Sequence, residues 1–381
     1  MRRARYALDG LHGDRRLNEA LAHPGELIAR LMDRNAEPFD LRQALIIDTE
    51  TTGLAGGAGT LAFVVGVGYF ENENFLIDQF FLRDPAEEAA MLHQIEALAN
   101  VHANVVTFNG KAFDVPLIET RFVMNRFVPP FGAKQHLDLL MPARRAWRGM
   151  IGDCSLGSLE YHLLGVRRNE QDIAGFLIPE LYRQYLQSGN RELTPEMSRV
   201  MYHNLHDILS MVTLTARLAD AQLKPGHVSE HIALGKQHER AGEWLEAERI
   251  YRTALERLET RDSEIAKTQP FDKLRTQSPI SQALNPQSPV LKRLASAIKK
   301  QHKHSEALAY WVALADAGDV SAMIELAKHY EWHKPDLPLA KGHAQAALRL
   351  TQDRWLREAL EKRIARLEKK MASSEKKVIG Y

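Results

Sequence analysis

The sequence contains a single cysteine, Cys154, among its 381 residues. One cysteine excludes an internal disulfide framework and any zinc site built from several cysteines. No apolar run approaches the length that is needed to span a bilayer. The basic start, Met1 to Arg5, has no apolar stretch after it, so we expect no secretory signal. A cytoplasmic location without membrane contact is the default expectation.

The chain also lacks a strong charge of either sign. Its formal net charge is +1, so no global basic surface points to nucleic acid. Arginines do cluster locally, and such a face could hold a phosphate backbone. A solvated face that is paired with neighbouring acids is an equally good interpretation. These arginines are Arg144, Arg145, Arg148, Arg167 and Arg168.

The length and the composition together predict two domains. The chain is too long for one typical core, and 45% hydrophobic with 26% charged residues is the composition of a globular protein. Leu223 to Gly226 breaks a helical pattern and marks the boundary. We expect a lead-in without chemistry at 1–40, an α/β domain at 41–222 and helical repeats at 228–372.

The α/β domain is organised around the segment from Ala44 to Gly53. Its unbroken apolar start predicts a strand that is buried on both faces. Asp48 and Glu50 follow at positions i and i+2, so they share one face of the strand. Two adjacent anions there are best explained by a bound cation, and oxygen ligands suit Mg²⁺ or Mn²⁺. Two solvated acids at a strand end are the alternative.

Further segments predict a mixed five-stranded sheet flanked by helices. Leu61–Tyr69 and Phe75–Leu82 form a hairpin that extends the first strand, and Val105–Phe108 and His136–Leu140 are two more strands. The glycine-rich stretch Thr51–Thr60 lacks the Lys-Ser/Thr pair of a phosphate-binding loop, so it is a turn. Such sheets bind ligands at the carboxyl ends of their strands, which is where the acids Asp48, Glu50 and Asp114 fall.

A long helix supplies the last polar cluster of this domain. Thr194 as a cap and Pro195 at the first helical position predict its start. Asp207 lies in its middle, beside Tyr202, His203 and His206. Apolar neighbours of Asp207 favour a helix that packs on the sheet over one that is simply solvated.

The C-terminal region shows no strand signals. Small residues recur there at the spacing of tetratricopeptide repeats, and Ala307 and Ala340 lie about one repeat period (~34 residues) apart. A plain helical bundle is the alternative. The segment at 261–290 is rich in Ser, Gln, Thr and Pro and predicts a flexible insertion.

Three short motifs give the chain a family resemblance. They are Asp48-Thr49-Glu50, Asn109-Gly110-Lys111-Ala112-Phe113-Asp114 and His203-Asn204-Leu205-His206-Asp207. Together they resemble the exonuclease motifs of the DEDD superfamily, which has the ribonuclease H-like fold. The chain is similar to the YprB-like branch of that superfamily in two features, the pattern Asn-Gly-x-x-Phe-Asp-x-Pro and a helical-repeat tail. By motif the resemblance covers about residues 40–222.

The resemblance implies a two-metal nuclease site. Asp48, Glu50, Asp114 and Asp207 would bind two divalent ions, Mg²⁺ or Mn²⁺, which stabilise the attacking and the leaving oxygen of a phosphodiester. Family members place a base before the last Asp, but Tyr202 and His203 occupy the expected slots in opposite order. His203 shares a helix face with Asp207 and is the favoured base. Tyr202 or a base-free site stays open, and His206 is taken as structural.

Three polar residues near the second motif have weaker roles. Asn109 and Lys111 could position a phosphate of the substrate, while a turn cap and a solvated cation are the alternatives. Asp138 could be a further ligand by position, but a hydrogen-bonded structural acid is the better interpretation.

The resemblance implies a 3′–5′ exonuclease that acts on single-stranded DNA or RNA. The repeats would dock a protein partner or the substrate. A second hypothesis is a weakly active or inactive ribonuclease H-like module that binds nucleic acid, with the repeats as a protein-interaction scaffold. Endonucleolytic cleavage would use the same metals and is not distinguished by sequence.

Overall fold

A computed structural model describes residues 1–33, 36–53, 59–268 and 289–379 of the chain. These residues fall into two compact units, Met1–Pro225 and Gly226–Tyr381. Part of the glycine-rich turn, residues 54–58, lies outside the described residues. Within the described ranges, no helix is both long and apolar enough to cross a membrane.

A mixed sheet forms the centre of the first unit. The strands of this unit are β1 (Arg2–Ala7), β2 (Leu11–His12), β3 (Arg15–Arg16), β4 (Ala44–Thr51), β5 (Ala62–Glu71), β6 (Asn74–Phe81), β7 (Asn104–Thr107) and β8 (Gln135–Asp138). Six of them pair in the order β1-β6-β5-β4-β7-β8, while β2 and β3 form a separate ribbon. The β4–β7 and β7–β8 pairs are parallel and the other pairs of this sheet are antiparallel. The acidic strand β4 is therefore central.

The sheet has six strands, so the predicted number of five was wrong. The additional strand, β1, comes from the segment that was taken as a lead-in, and it pairs with β6 along the sheet edge. Its sequence is rich in arginine, which is common on edge strands and hides the apolar signal of a buried strand. Arg3 bonds to Asp78 on β6 at 2.6 Å, so the charge has a cross-strand partner.

Helices cover both faces of the sheet. They are α1 (Gly25–Met32), α2 (Glu88–Val101), α3 (Asp114–Met124), α4 (Leu140–Ile151), α5 (Leu156–Leu159), α6 (Ile178–Gln187) and α7 (Pro195–Leu223). One core lies between the sheet and α1, α4 and most of α7. The other core contains α2, α3, α6 and the first turns of α7. The predicted fold class, a mixed sheet of the ribonuclease H-like type that is flanked by helices, is confirmed.

Helix α7 starts where the sequence places it. Thr194 accepts a hydrogen bond from the Met197 amide, and Pro195 is the first helical residue. The helix then crosses β5 very closely. A Cβ atom at Gly66 would lie 2.2 Å from Asn204 Oδ1, and one at Gly68 would lie 2.5 Å from Ile208. Glycine on the strand thus allows polar side chains of α7 to reach the neighbouring strand β4.

The second unit is helical throughout its described residues. Its helices are α8 (Val228–Arg240), α9 (Trp244–Thr268), α10 (Pro289–Lys300), α11 (His304–Asp316), α12 (Val320–Trp332), α13 (Leu337–Leu350) and α14 (Arg354–Ile379). Each packs on the next along the chain. Of the predicted insertion at 261–290, the helical backbone of α9 covers the first residues, and 269–288 lie outside the described residues. The tetratricopeptide identity of these helices stays a prediction.

Candidate active site

Strand β4 delivers two acids to the face that packs against α7. Ala44 and Ile46 lie in the core that contains α7, and Asp48 and Glu50 continue the same alternation. The register with β5 shifts just after Glu50, which is typical of strands that end at a functional site. Glu50 is buried, and its Oε1 has no hydrogen-bond partner among the described residues.

Asn204 of α7 orients the first of these acids. Its Nδ2 donates to Asp48 Oδ2 at 2.8 Å and to the Asp48 carbonyl at 3.1 Å. Its Oδ1 accepts from Gln79 of β6 at 2.8 Å, which fixes the amide in this orientation. Sequence reasoning did not assign Asn204 or Gln79 a role. The glycine at position 66, opposite Asp48 in the β4–β5 register, was the available signal for a close approach.

Asp114 is the first residue of α3 and is buried. Its Oδ1 accepts a hydrogen bond of 2.5 Å from the hydroxyl of Thr49, which lies between the two acids in the sequence and projects from the opposite face of β4. Burial raises the pKa of Asp114 to about 6, although the Thr49 bond opposes that shift. The third predicted acid therefore lies next to the acidic segment of β4.

Asp207 of α7 is held in an ion-pair network that the sequence did not predict. Arg168 contacts it through Nη2, donates to Glu160 at 2.6 and 2.8 Å, and lies 3.4 Å from Asp172. Burial disfavours the charge of Arg168, but Asp207 and Glu160 more than offset this and raise its pKa. Of the two interpretations of this arginine, pairing with neighbouring acids is the one that the structure shows for Arg168, but its side chain is only 11% exposed and does not form part of a solvated face.

The network continues inward to the N-terminal segment. Ser210 of α7 donates to Glu160 at 2.5 Å, and His12 Nε2 lies 2.7 Å from the Ser210 oxygen. Since the Ser210 proton is used on Glu160, His12 Nε2 must donate. Burial lowers the pKa of His12 to about 3, so the ring is neutral. Residues 1–40, where the sequence indicated no chemistry, thus support the network around Asp207.

His203 lies beside Asp207, one turn away on the same helix. Its Nε2 is 3.7 Å from Asp207 Oδ2, and its Nδ1 is 2.8 Å from Asp172 Oδ1. Burial alone would raise the pKa of Asp172, but the His203 bond and the charge of Arg168 lower it overall. Arg168 Nη1 lies 3.1 Å from the same Nδ1, so this nitrogen is held by two partners, while Nε2 is the ring nitrogen on the side of Asp207.

Tyr202 and His206 lie on the same helix and contact each other rather than Asp207. Their rings pack on each other, with centroids 4.2 Å apart. Burial lowers the pKa of His206 to about 4. This packing agrees with a structural role for His206, and the choice between His203 and Tyr202 as the base stays a prediction.

The four acids lie close enough to affect one another. Burial, followed by the charges of Asp207, Glu50 and Asp114, raises the pKa of Asp48 well above its ordinary value. Burial and the charges of Asp207 and Asp114 do the same for Glu50. Such repulsion is relieved either by protons or by a bound cation.

The donor set fits divalent cations with oxygen preference. The four carboxylates, which include the unpartnered Glu50 Oε1, supply the oxygen ligands that Mg²⁺ and Mn²⁺ prefer. Within the described ranges, no three His, Cys, Asp or Glu side chains already stand in a metal-binding arrangement. Arg168 on Asp207 and the Thr49 hydroxyl on Asp114 occupy two of the carboxylates, so a cation would replace or share these contacts.

The loop after β7 is organised by Asp138. This carboxylate accepts hydrogen bonds from the amides of Asn109, Lys111 and Leu140 at 2.8, 3.0 and 3.0 Å. Asn109 adopts a left-handed backbone conformation, with φ of 66°. Asp138 is thus a hydrogen-bonded structural acid, as the sequence favoured. The side chains of Asn109 and Lys111 are exposed, and their role toward a phosphate stays a prediction.

Comparisons with known proteins agree with this architecture. A family model described as the RNase_H superfamily matches residues 45–219, which contain all four acids. The chain is 30% identical to the uncharacterized protein YprB of Bacillus subtilis (strain 168) over 354 residues, which are 89% of this chain and 78% of that protein. A match of that length extends into the helical second unit. The chain therefore belongs to the same family as YprB, and its residues 45–219 form a domain of the RNase_H superfamily.

Proposed function

We propose that this protein is a metal-dependent nuclease whose active site is formed by Asp48, Glu50, Asp114 and Asp207. The observation that carries the proposal is the buried Glu50 Oε1, which lacks a partner among the described residues and lies within the field of the other acids. A buried anion without a partner is strongly unfavourable unless a cation or a proton compensates it. The match of residues 45–219 to the RNase_H superfamily itself suggests a nuclease.

The four carboxylates would hold two divalent ions, Mg²⁺ or Mn²⁺. Bound ions of this kind supply charge stabilisation to the attacking and leaving oxygens of a phosphodiester. Asn204 keeps Asp48 in position through its amide, and Gln79 keeps that amide from turning.

His203 is the proposed general base. With a proton on Nδ1 that is donated to Asp172, Nε2 would be free to accept a proton from the attacking water near Asp207. Tyr202 is the less suitable candidate because its ring packs against His206. The base thus acts from one helical turn before the last acid.

We further propose 3′–5′ exonucleolytic action on single-stranded DNA or RNA, which the motif resemblance supports. The test uses single-stranded oligonucleotides that carry a label at the 5′ or the 3′ end, with Mg²⁺, Mn²⁺ or chelator. A 3′–5′ exonuclease shortens the 5′-labelled strand stepwise and releases labelled mononucleotide from the 3′-labelled strand at once. Internal fragments from both labels would refute this direction, and binding without cleavage in every metal would refute the nuclease.

The second candidate function is a weakly active nucleic-acid-binding module. It is favoured by the contact of Arg168 with Asp207, because a neutralised acid binds cations poorly. Adding Mn²⁺ separates the candidates. An active nuclease is stabilised against heat by Mn²⁺ and cleaves, whereas the binding module retains affinity for nucleic acid and shows neither response.

A further inference from the structure

A nucleotide-sized cavity adjoins the candidate active site. Its volume is about 500 Å³, and His203 and Asp207 form one part of its wall. Pockets of about 300–1,000 Å³ accommodate ligands of this size. The rest of the wall comes from the segment between α5 and α6, including Tyr161, Arg167 and Gly175.

An aromatic residue and an arginine are held together in that wall. The guanidinium carbon of Arg167 lies 3.8 Å from the centroid of the Tyr161 ring. Arg167 Nη1 donates to the carbonyls of Tyr161 at 2.9 Å and Val166 at 3.3 Å, which anchors the stack. Tyr161 is nevertheless 57% exposed. An aromatic side chain that is held in place and still exposed is suited to base stacking.

The two arginines of the cavity wall differ in what they can still bind. Arg168 is committed to Glu160, Asp172 and Asp207. Arg167 is exposed, and its Nε and Nη2 make no hydrogen bond within the described ranges. Those two donors match a phosphate oxygen pair, while the guanidinium plane and the ring beside it match a nucleobase.

Resting on the proposed nuclease function, we propose that this cavity receives the nucleotide next to the scissile phosphodiester and that the Tyr161–Arg167 pair stacks on its base. Inside a duplex both faces of a base are covered by its neighbours, whereas an unpaired nucleotide can turn its base onto the ring, so the pair favours single-stranded ends. Stacking tolerates every base, since each has a π-face. The pair therefore sets strand preference without setting sequence preference.

The test measures kcat/KM with Mn²⁺ on a single-stranded oligonucleotide. Tyr161→Ala should reduce kcat/KM by about 5- to 150-fold, the range for loss of one stacked base, while Tyr161→Phe stays near wild type. Phe176→Ala is the matched control, because Phe176 is 73% exposed and follows Gly175 but does not line the cavity. Melting temperatures verify that the variants fold.

A second substrate series separates stacking from a general surface effect. An abasic site is placed at each of the terminal positions in turn. At one of these positions the abasic site should lower the kcat/KM of the wild type. On that substrate Tyr161→Ala should cause no further loss, because the base that it would stack on is already absent. The stacking role of the Tyr161–Arg167 pair would be overturned by losses that add up on the abasic substrate. It would also be overturned by a Tyr161→Ala rate within about twofold of wild type, or by an equal loss in Phe176→Ala. Absence of metal-dependent cleavage by the wild type would instead overturn the nuclease function.

Discussion

Replacing Arg168 with Met should destabilise the first unit strongly. The side chains of Arg168 and Glu160 are only 11% and 3% exposed, so removal of the guanidinium leaves Glu160 as a buried charge without its main partner. Breaking a buried ion pair from one side costs about 3–5 kcal/mol of unfolding free energy. For a unit of this size each kcal/mol lowers the melting temperature by roughly 2–4 °C, so we expect a decrease of about 6–20 °C.

Differential scanning calorimetry of the full chain measures this effect. Arg167→Met is the matched control, because it removes the adjacent arginine from an exposed position. The double variant Arg168→Met/Glu160→Gln should recover part of the loss, since the buried charge is gone. Equal melting temperatures for Arg168→Met and Arg167→Met would refute the energetic role of the network.

The same variant tests whether Arg168 competes with a cation for Asp207. Without Arg168, Asp207 keeps both oxygens for metal ligation. Mn²⁺ should therefore raise the melting temperature of Arg168→Met more than that of the wild type, since a ligand that binds only the folded state stabilises it. Equal Mn²⁺ responses in the two proteins would contradict the competition.

Three further variants probe the supports of the site. Burial lowers the pKa of His12 to about 3 from an ordinary 6.5, so the folded state keeps the ring neutral. The stability that this neutral ring contributes is fully present above pH 6.5 and is lost as the pH falls toward 3, by at most ~1.4 kcal/mol per pH unit. His12→Gln keeps an N–H donor without titrating, and should flatten acid unfolding curves. Asp172→Asn should lower kcat about 10-fold with KM unchanged, because the charged carboxylate that orients His203 becomes a neutral amide, which holds the ring less firmly. Gly66→Ala should destabilise the chain by about 1–3 kcal/mol in urea titrations, because its Cβ meets α7 at 2.2 Å, whereas Gly149→Ala has open space and should stabilise it slightly.

Each of these variants has an outcome that contradicts the argument. An unchanged acid slope in His12→Gln would mean that His12 is not buried and neutral. A rise in KM with unchanged kcat in Asp172→Asn would place Asp172 in substrate binding. Stability of Gly66→Ala equal to that of Gly149→Ala would mean that α7 does not approach β5 so closely.

Local patterns predicted the elements that carry the acids. The apolar run before Asp48 predicted a buried strand, and the Thr194-Pro195 start predicted the helix that carries Asp207. Both signals come from neighbouring residues in the chain, so they can be recognised without knowledge of the tertiary structure. The edge strand β1 was missed because its arginines lack the apolar signal of a buried strand.

The partners of the acids could not be predicted in the same way. Arg168 contacts Asp207, which lies 39 positions later in the chain, and His12 contacts Ser210, which lies 198 positions later. No periodicity encodes such pairs, because they depend on how the elements pack. Asn204 stood inside a recognised motif, yet its contact with Asp48 became evident only once Gly66 was seen to admit α7.

The most direct measurement of the central claim is the initial rate of cleavage of a single-stranded oligonucleotide with Mn²⁺. The account predicts metal-dependent cleavage by the wild type and a loss of about 10³-fold in Asp48→Asn, because one acid of the proposed metal site is removed. Asp220→Asn, which changes an acid further along α7, should cleave at the wild-type rate. Equal rates for Asp48→Asn and the wild type, or cleavage that persists in chelator, would contradict the account.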